Sequence, residues 1–154
     1  MLKNCRNDFP TLQGDSPPAY LDNACVTLKP QSVIDSIQRY YTETPGCGGR
    51  SVHRYGTAVS KSVVDARNKL GSFLNAATPN EIVFTRNATH SINQIAHGMK
   101  WNKGDVVLTS DREHNSNLVP WLQLEQEQGI DHRVVPSLSD NAFDLEAFES
   151  ACAQ

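Results

Sequence analysis

Long apolar runs are missing from this 154-residue chain. Its longest, such as Ile82-Val83-Phe84 and Val106-Val107-Leu108, are a few residues each, far short of the roughly 20 that a membrane-spanning helix needs. The start, Met1 to Asp8, has no apolar h-region, so a secretory signal is not expected and the cytoplasm is the expected compartment. A net charge of −3 with interspersed signs leaves no basic face for nucleic acid. Cysteine is sparse, at positions 5, 25, 47 and 152, with no C-x-x-C spacing, so four free thiols are expected rather than two bridges. The sequon Asn87-Ala88-Thr89 carries no meaning without secretion. The chain lacks G-x-G-x-x-G, G-x-x-x-x-G-K-[ST] and G-x-S-x-G, the fingerprints of dinucleotide folds, P-loop NTPases and nucleophile-elbow hydrolases. Its histidines, 53, 90, 97, 114 and 132, show neither H-E-x-x-H nor Cys₂His₂ spacing, so no metal site is expected.

What is present suits one soluble domain with a real core: 38% hydrophobic residues and a mean hydropathy of −0.47. Residues 1–30 read as an extended arm with turns at Gly14-Asp15-Ser16-Pro17-Pro18 and Asp22-Asn23-Ala24. Lys29-Pro30 opens a helix with Val33, Ile34, Ile37, Tyr40 and Tyr41 on one stripe. Pro45 to Gly49 breaks it, and Val59, Val63, Ala66, Leu70 and Phe73 mark a second amphipathic helix. From residue 80 the pattern alternates. Strands are expected at Ile82–Thr85, Val106–Thr109 and His132–Pro136, and helices at Ile92–Met99, Leu118–Gln128 and Leu145–Cys152. This is βαβαβα, an α/β segment with a parallel sheet and right-handed crossovers. Three parallel strands are few for a fold that covers both faces, so the chain reads as the front of a larger α/β domain. An unpaired edge around Val134 is expected to favour self-association.

Three turns carry chemistry. Glu113-His114-Asn115-Ser116-Asn117-Leu118-Val119-Pro120-Trp121 follows the strand at 106–109. Asn117 is the expected N-cap, with Pro120 in the first turn of the helix. Carboxyl ends of parallel strands face the ligand crevice, which places His114 to meet a bound molecule; a turn histidine that merely faces water is the commoner case. Arg86-Asn87-Ala88-Thr89 opens a helix whose free amides and Thr hydroxyl suit phosphate, although Asn and Thr are also ordinary caps. Cys47-Gly48-Gly49-Arg50-Ser51-Val52-His53-Arg54 reads either as a ligand-approaching loop with two arginines or as a solvated linker.

Four segments in order change the reading: Tyr20 to Pro30, Ser51 to Arg54, Glu81 to Thr89, and Glu113 to Trp121. Together they resemble the N-terminal part of class V aminotransferase-fold enzymes that use pyridoxal 5′-phosphate, most closely cysteine desulfurases of the selenocysteine-lyase-like branch. The likeness runs from about residue 8 to the end. It implies that residues 31–154 are the front of the large domain of an aspartate-aminotransferase-like fold, following the arm at 1–30. It also implies site roles. Ala88 and Thr89 would hold the cofactor phosphate, and His114 would stack on the pyridine ring and assist proton transfer. His53 would line the substrate pocket, and the turn containing Ala24 would pack near the cofactor. The implied substrate is cysteine, converted to alanine with sulfur left as an enzyme-bound persulfide and passed to an acceptor protein for iron–sulfur clusters or other uses. A homodimer is implied, and neither nucleic acid nor membrane.

The sequence departs from the family pattern in places. The family's Arg-Gly-Thr-Thr-Glu is here Arg86-Asn87-Ala88-Thr89-His90, which removes one hydroxyl and puts Asn where a glycine could take a positive φ. The Asn-Ala-Ala-Thr-Thr turn is here Asn23-Ala24-Cys25-Val26-Thr27. None of the six lysines, 3, 29, 61, 69, 100 and 103, stands in the family's Ser-x-His-Lys setting, and no cysteine matches the persulfide position. The resemblance puts both groups downstream, so this chain is not expected to desulfurate cysteine alone. Two alternatives stay open: another class V enzyme, a lyase or epimerase, or a degenerate dimerisation or interaction module without catalysis.

Overall fold

The computed structural model describes residues 5–153, so the first four residues of the expected arm, Lys3 among them, lie outside the described residues. The chain forms two compact units, Met1–Ile82 and Val83–Gln154.

In the first unit the arm is held by its own polar groups. The Arg6 guanidinium donates to the Pro18 carbonyl at 3.0 Å, and the Tyr20 hydroxyl donates to the Val26 carbonyl. Pro30, in the extended region, precedes α1 (Gln31–Glu43), as its fixed φ and missing N–H favour at a helix start. The stripe of α1 forms at helical spacing but stays open, with Tyr41 71% exposed. Helix α2 (Arg54–Phe73) begins at His53, whose ring accepts from the Gly56 amide. Only glycine fits position 56: a Cβ there would meet Ser51 Cβ at 2.5 Å and the Ser51 carbonyl oxygen at 2.6 Å. Further along, Arg67 Nε donates to the Ile82 carbonyl at 3.1 Å. A Thr78–Glu81 capping box closes the short 3₁₀ turn at Pro79–Glu81.

The second unit runs α3 (Ala88–Gly98), β1 (Val106–Ser110), α4 (Asn115–Gln128), β2 (Asp131–Val135) and α5 (Leu145–Cys152). Strands β1 and β2 pair in parallel, in register from Val106 opposite Asp131 to Ser110 opposite Val135, with α4 as the crossover. Gly129, at φ 71°, ends α4 in the left-handed conformation, its amide bonded to the Glu125 carbonyl. The core is Ala96, Trp121, Leu124 and Ile130, with Ile92, Trp101 and Val107 packed against it. It joins α3 to α4 and to the inner face of β1. Trp101 donates its indole N–H to the Ala96 carbonyl at 2.6 Å and meets Trp121 edge-on, 5.9 Å between centroids.

The α/β class and the parallel pairing agree with the sequence; the strand count does not. Ile82–Thr85 carries no strand pairing among the described residues. A short apolar run signals burial, but a strand exists only with a neighbour to hydrogen-bond, and Val83 and Phe84 are 64% and 47% exposed. The start of α4 also differs from expectation. His114, not Asn117, is the N-cap, so Pro120 lies inside the helix and past its first turn. There its missing N–H removes one helical bond, and the ring is buried. No helix among the described residues is long and apolar enough to cross a membrane.

Candidate active site

Helix α3 opens on a turn whose side chains are spent on one another. Asn87 Oδ1 accepts the His90 amide at 2.8 Å, and Thr85 Oγ1 lies 2.6 Å from Ser91 Oγ. His90 Nδ1 accepts the Arg86 amide at 3.3 Å. Asn93 Nδ2 donates to the Thr89 carbonyl at 2.9 Å. Ala88 and Thr89 occupy the first two helical positions, where backbone N–H groups have no partner within the helix, and both residues are exposed. Two outward amides and a threonine hydroxyl at the positive end of an 11-residue helix fit a phosphate. Asn87 sits at φ −168°, ψ 175°, extended backbone that any residue adopts. The glycine freedom anticipated at this position is not required.

His114 ends the turn after β1. Its backbone is extended, and Nδ1 accepts the Ser116 amide at 3.1 Å, with Ser116 Oγ 3.0 Å away. A nitrogen that accepts is unprotonated, so a neutral ring carries its proton on Nε2. The imidazole is exposed.

The groups beside His114 form a relay that the sequence reading missed. Glu113 Oε1 accepts the Ser110 amide at 3.3 Å and the Ser110 hydroxyl at 2.8 Å. Its Oε2 accepts the Asn117 amide at 2.8 Å, and Asn117 Oδ1 accepts the Trp121 indole N–H at 3.2 Å. Donation from Asn117 and then Ser110 holds the Glu113 carboxyl below the usual carboxylate range. Asp111 is lowered too, chiefly by the Ser137 hydroxyl at 2.5 Å. Ser110 and Glu113 also line a cavity of about 280 Å³ with Leu108, Val135, Phe143 and Phe148. The sequence held a signal: Ser110-x-x-Glu113 has capping-box spacing, and Glu113 and Asn117 stand four apart.

The remaining expected site residues belong to the first unit. His53 caps α2 through Nδ1, 3.4 Å from the Gly56 amide, and its ring meets Tyr55 at a right angle. Ala24 lies exposed in the turn where the Cys25 and Val26 amides bond the Asp22 carbonyl. The glycine loop is tied to α2 by the Gly49 amide donating to Ser60 Oγ at 2.8 Å. In the second unit His132 is absorbed by structure: its Nε2 lies 2.9 Å from Oγ1 of Thr109, which is 6% exposed. Among the described residues no group of three or more His, Cys, Asp or Glu could hold a metal ion. Cys25, Cys47 and Cys152 are exposed free thiols.

Residues 19–154 match the aminotransferase class-V family, and the chain belongs to it. It is 36% identical over 155 residues to a probable cysteine desulfurase from Synechocystis sp., an alignment covering 97% of this chain and 37% of that protein. Among solved structures it is similar to the apo cysteine desulfurase of Thermococcus onnurineus NA1. The TM-score is 0.81 at 27% identity, over 96% of this chain and 36% of that one. It is also similar to the cysteine desulfurase CsdA of Escherichia coli in its S-sulfonic acid form, with a TM-score of 0.72 at 28% identity over 95% and 37% of the two chains. The chain therefore spans little more than a third of the length of the curated relatives it matches.

Proposed function

We propose that this chain forms the phosphate-holding and ring-facing part of the site of a pyridoxal-phosphate-dependent cysteine desulfurase. The observation that carries the reading is the exposed start of α3, where Asn87 takes the cap and leaves the Ala88 and Thr89 amides outward. When bound, pyridoxal phosphate supplies a pyridinium ring that accepts the charge left as the amino acid loses its α-proton.

The chain's own residues then have distinct tasks. Ala88 and Thr89 bind the phosphate through backbone amides, and Thr89 adds its hydroxyl. His114 presents a flat imidazole to the cofactor ring, with Nδ1 committed to Ser116 and the Nε2 proton available for transfer. The family resemblance assigns His53 to the cysteine pocket and Ala24 to the turn near the cofactor. The site is completed in a homodimer in the cytoplasm, and sulfur passes to an acceptor protein. None of the six lysines stands in the family's cofactor-bonding setting, so the chain does not desulfurate cysteine alone.

The test is to titrate pyridoxal phosphate into the purified chain, record the visible spectrum, reduce with borohydride and map modified lysines. The expected result is saturable binding displaced by inorganic phosphate, with no stoichiometric lysine adduct. A single stoichiometric adduct would overturn the claim that the chain lacks its lysine. Absence of saturable binding would reduce the start of α3 to an ordinary helix cap.

A further inference from the structure

We propose that Glu113 is a positioning residue that holds the His114 imidazole in its Nε2-protonated form. The inference rests on the role given to His114 above, but its geometry stands apart from any cofactor. Three donors converge on the two Glu113 oxygens: the Ser110 amide, the Ser110 hydroxyl and the Asn117 side-chain amide. The Asn117 amide cannot turn over, because its oxygen is taken by the Trp121 indole N–H at 3.2 Å. Trp121 belongs to the core cluster. A continuous hydrogen-bonded chain thus runs from the core through Asn117 and Glu113 to Ser110, the last residue of β1.

His114 lies inside this chain. It follows Glu113 directly, and its carbonyl accepts the Asn117 amide at 2.7 Å. The strand end and the first turn of α4 are therefore fixed on either side of it, and Nδ1 is brought to the Ser116 amide at 3.1 Å. With the Asn117 side-chain donor facing it, only a carboxylate does this job well. A glutamine at 113 has one acceptor oxygen, and its NH₂ would face either the Ser110 donors or the Asn117 donor. A loosened turn releases Nδ1 from Ser116, and the proton then divides between the two ring nitrogens.

The experiment is ¹⁵N NMR of the His114 imidazole in the full chain without cofactor, at a pH where the ring is neutral. The wild-type chain is expected to show an unprotonated Nδ1 and a protonated Nε2. Glu113→Gln is expected to pull the two shifts toward each other, and Asn117→Ala to do so to a smaller extent. The exchange Glu113→Gln with Asn117→Asp restores a donor facing a carboxylate, which also accepts from Trp121, and is expected to return the wild-type pattern. Asn87→Ala, which weakens α3 instead, is expected to leave His114 unchanged and so separates positioning from general loss of stability. Folded Glu113→Gln and Asn117→Ala chains with unchanged His114 shifts would overturn the proposal. So would the exchange variant failing to restore them. If Glu113→Gln does not fold, Asn117→Ala and the exchange variant decide alone. Tautomer shifts as expected, together with no saturable pyridoxal phosphate binding, would support the positioning role while refuting the cofactor reading.

Discussion

Asn87 closes the start of α3 by accepting the His90 amide proton at 2.8 Å while its own backbone stays extended at φ −168°. The side chain, not a glycine-like backbone, does the work at this position. Asn87→Ala is expected to cost about 1 kcal/mol of stability, and Asn87→Gly only a few tenths, in urea denaturation. A glycine variant more stable than the wild type would show that Asn87 is strained, contrary to its extended backbone.

The first turn of α3 should be tunable. Ala88 stands where the family pattern has a hydroxyl, and both it and Thr89 are exposed. Thr89→Val removes the remaining hydroxyl and is expected to weaken pyridoxal phosphate binding about tenfold, the size of one hydrogen bond to a charged group. Ala88→Thr is expected to tighten it by a similar factor. Calorimetric titration of the three chains side by side gives the comparison, and equal affinities would remove the phosphate from this turn.

Glu113 predicts an acid dependence of stability. Its folded carboxyl is held below the ordinary value of 4.5 by Asn117 and Ser110. A depressed carboxylate contributes stability that is fully present above the ordinary value and is lost as pH falls through the folded one. Thermal unfolding of the wild type should therefore be insensitive to this group near neutrality and fall at pH below about 4.5. Glu113→Gln should melt lower at neutral pH and show a flatter acid limb. Parallel melting curves for the two chains would place the acid sensitivity elsewhere.

Which features were legible follows from what each one needs. Helices α2 and α5 were readable because apolar spacing lies within the segment itself, and β1 and β2 because β-branched runs sit between turn residues. The stretch at 82–85 has the same local signal but no paired neighbour among the described residues, and pairing is not a local property. The cap of α4 was misplaced because Asn is the commoner capping residue, whereas a histidine Nδ1 performs the same acceptance. His53 repeats the device at α2. The Glu113 relay was overlooked because its members look like ordinary turn residues until the strand end and the helix are joined.

Apolar residues at the surface predict association. Val134 is 51% exposed on β2, and Ile95 and Val119 are more than half exposed on α3 and α4. The stripe of α1 is open as well. Apolar side chains left open to water favour self-association. Analytical ultracentrifugation over a wide concentration range is expected to show growth beyond the monomer mass, and a monomer at every concentration would contradict it.

Leu124 is the largest fully buried side chain among the described residues, with no exposed area. It packs in the cluster with Ala96, Trp121 and Ile130. Truncating a buried leucine loses its transfer energy and leaves a cavity, about 2–5 kcal/mol together. So small a cluster has little else to draw on, and Leu124→Ala should remove much of the fixed packing of the second unit. The Trp101–Trp121 edge-on pair offers a local probe, since near-ultraviolet circular dichroism reports fixed aromatic environments. Leu124→Ala is expected to lose most of that signal while keeping helical far-ultraviolet intensity, and Leu124→Met, close in volume, to keep both. An unchanged near-ultraviolet spectrum in the alanine variant would mean that the indoles are held without the leucine. In that case the hydrogen bonds from Trp101 to the Ala96 carbonyl and from Trp121 to Asn117 fix the rings by themselves.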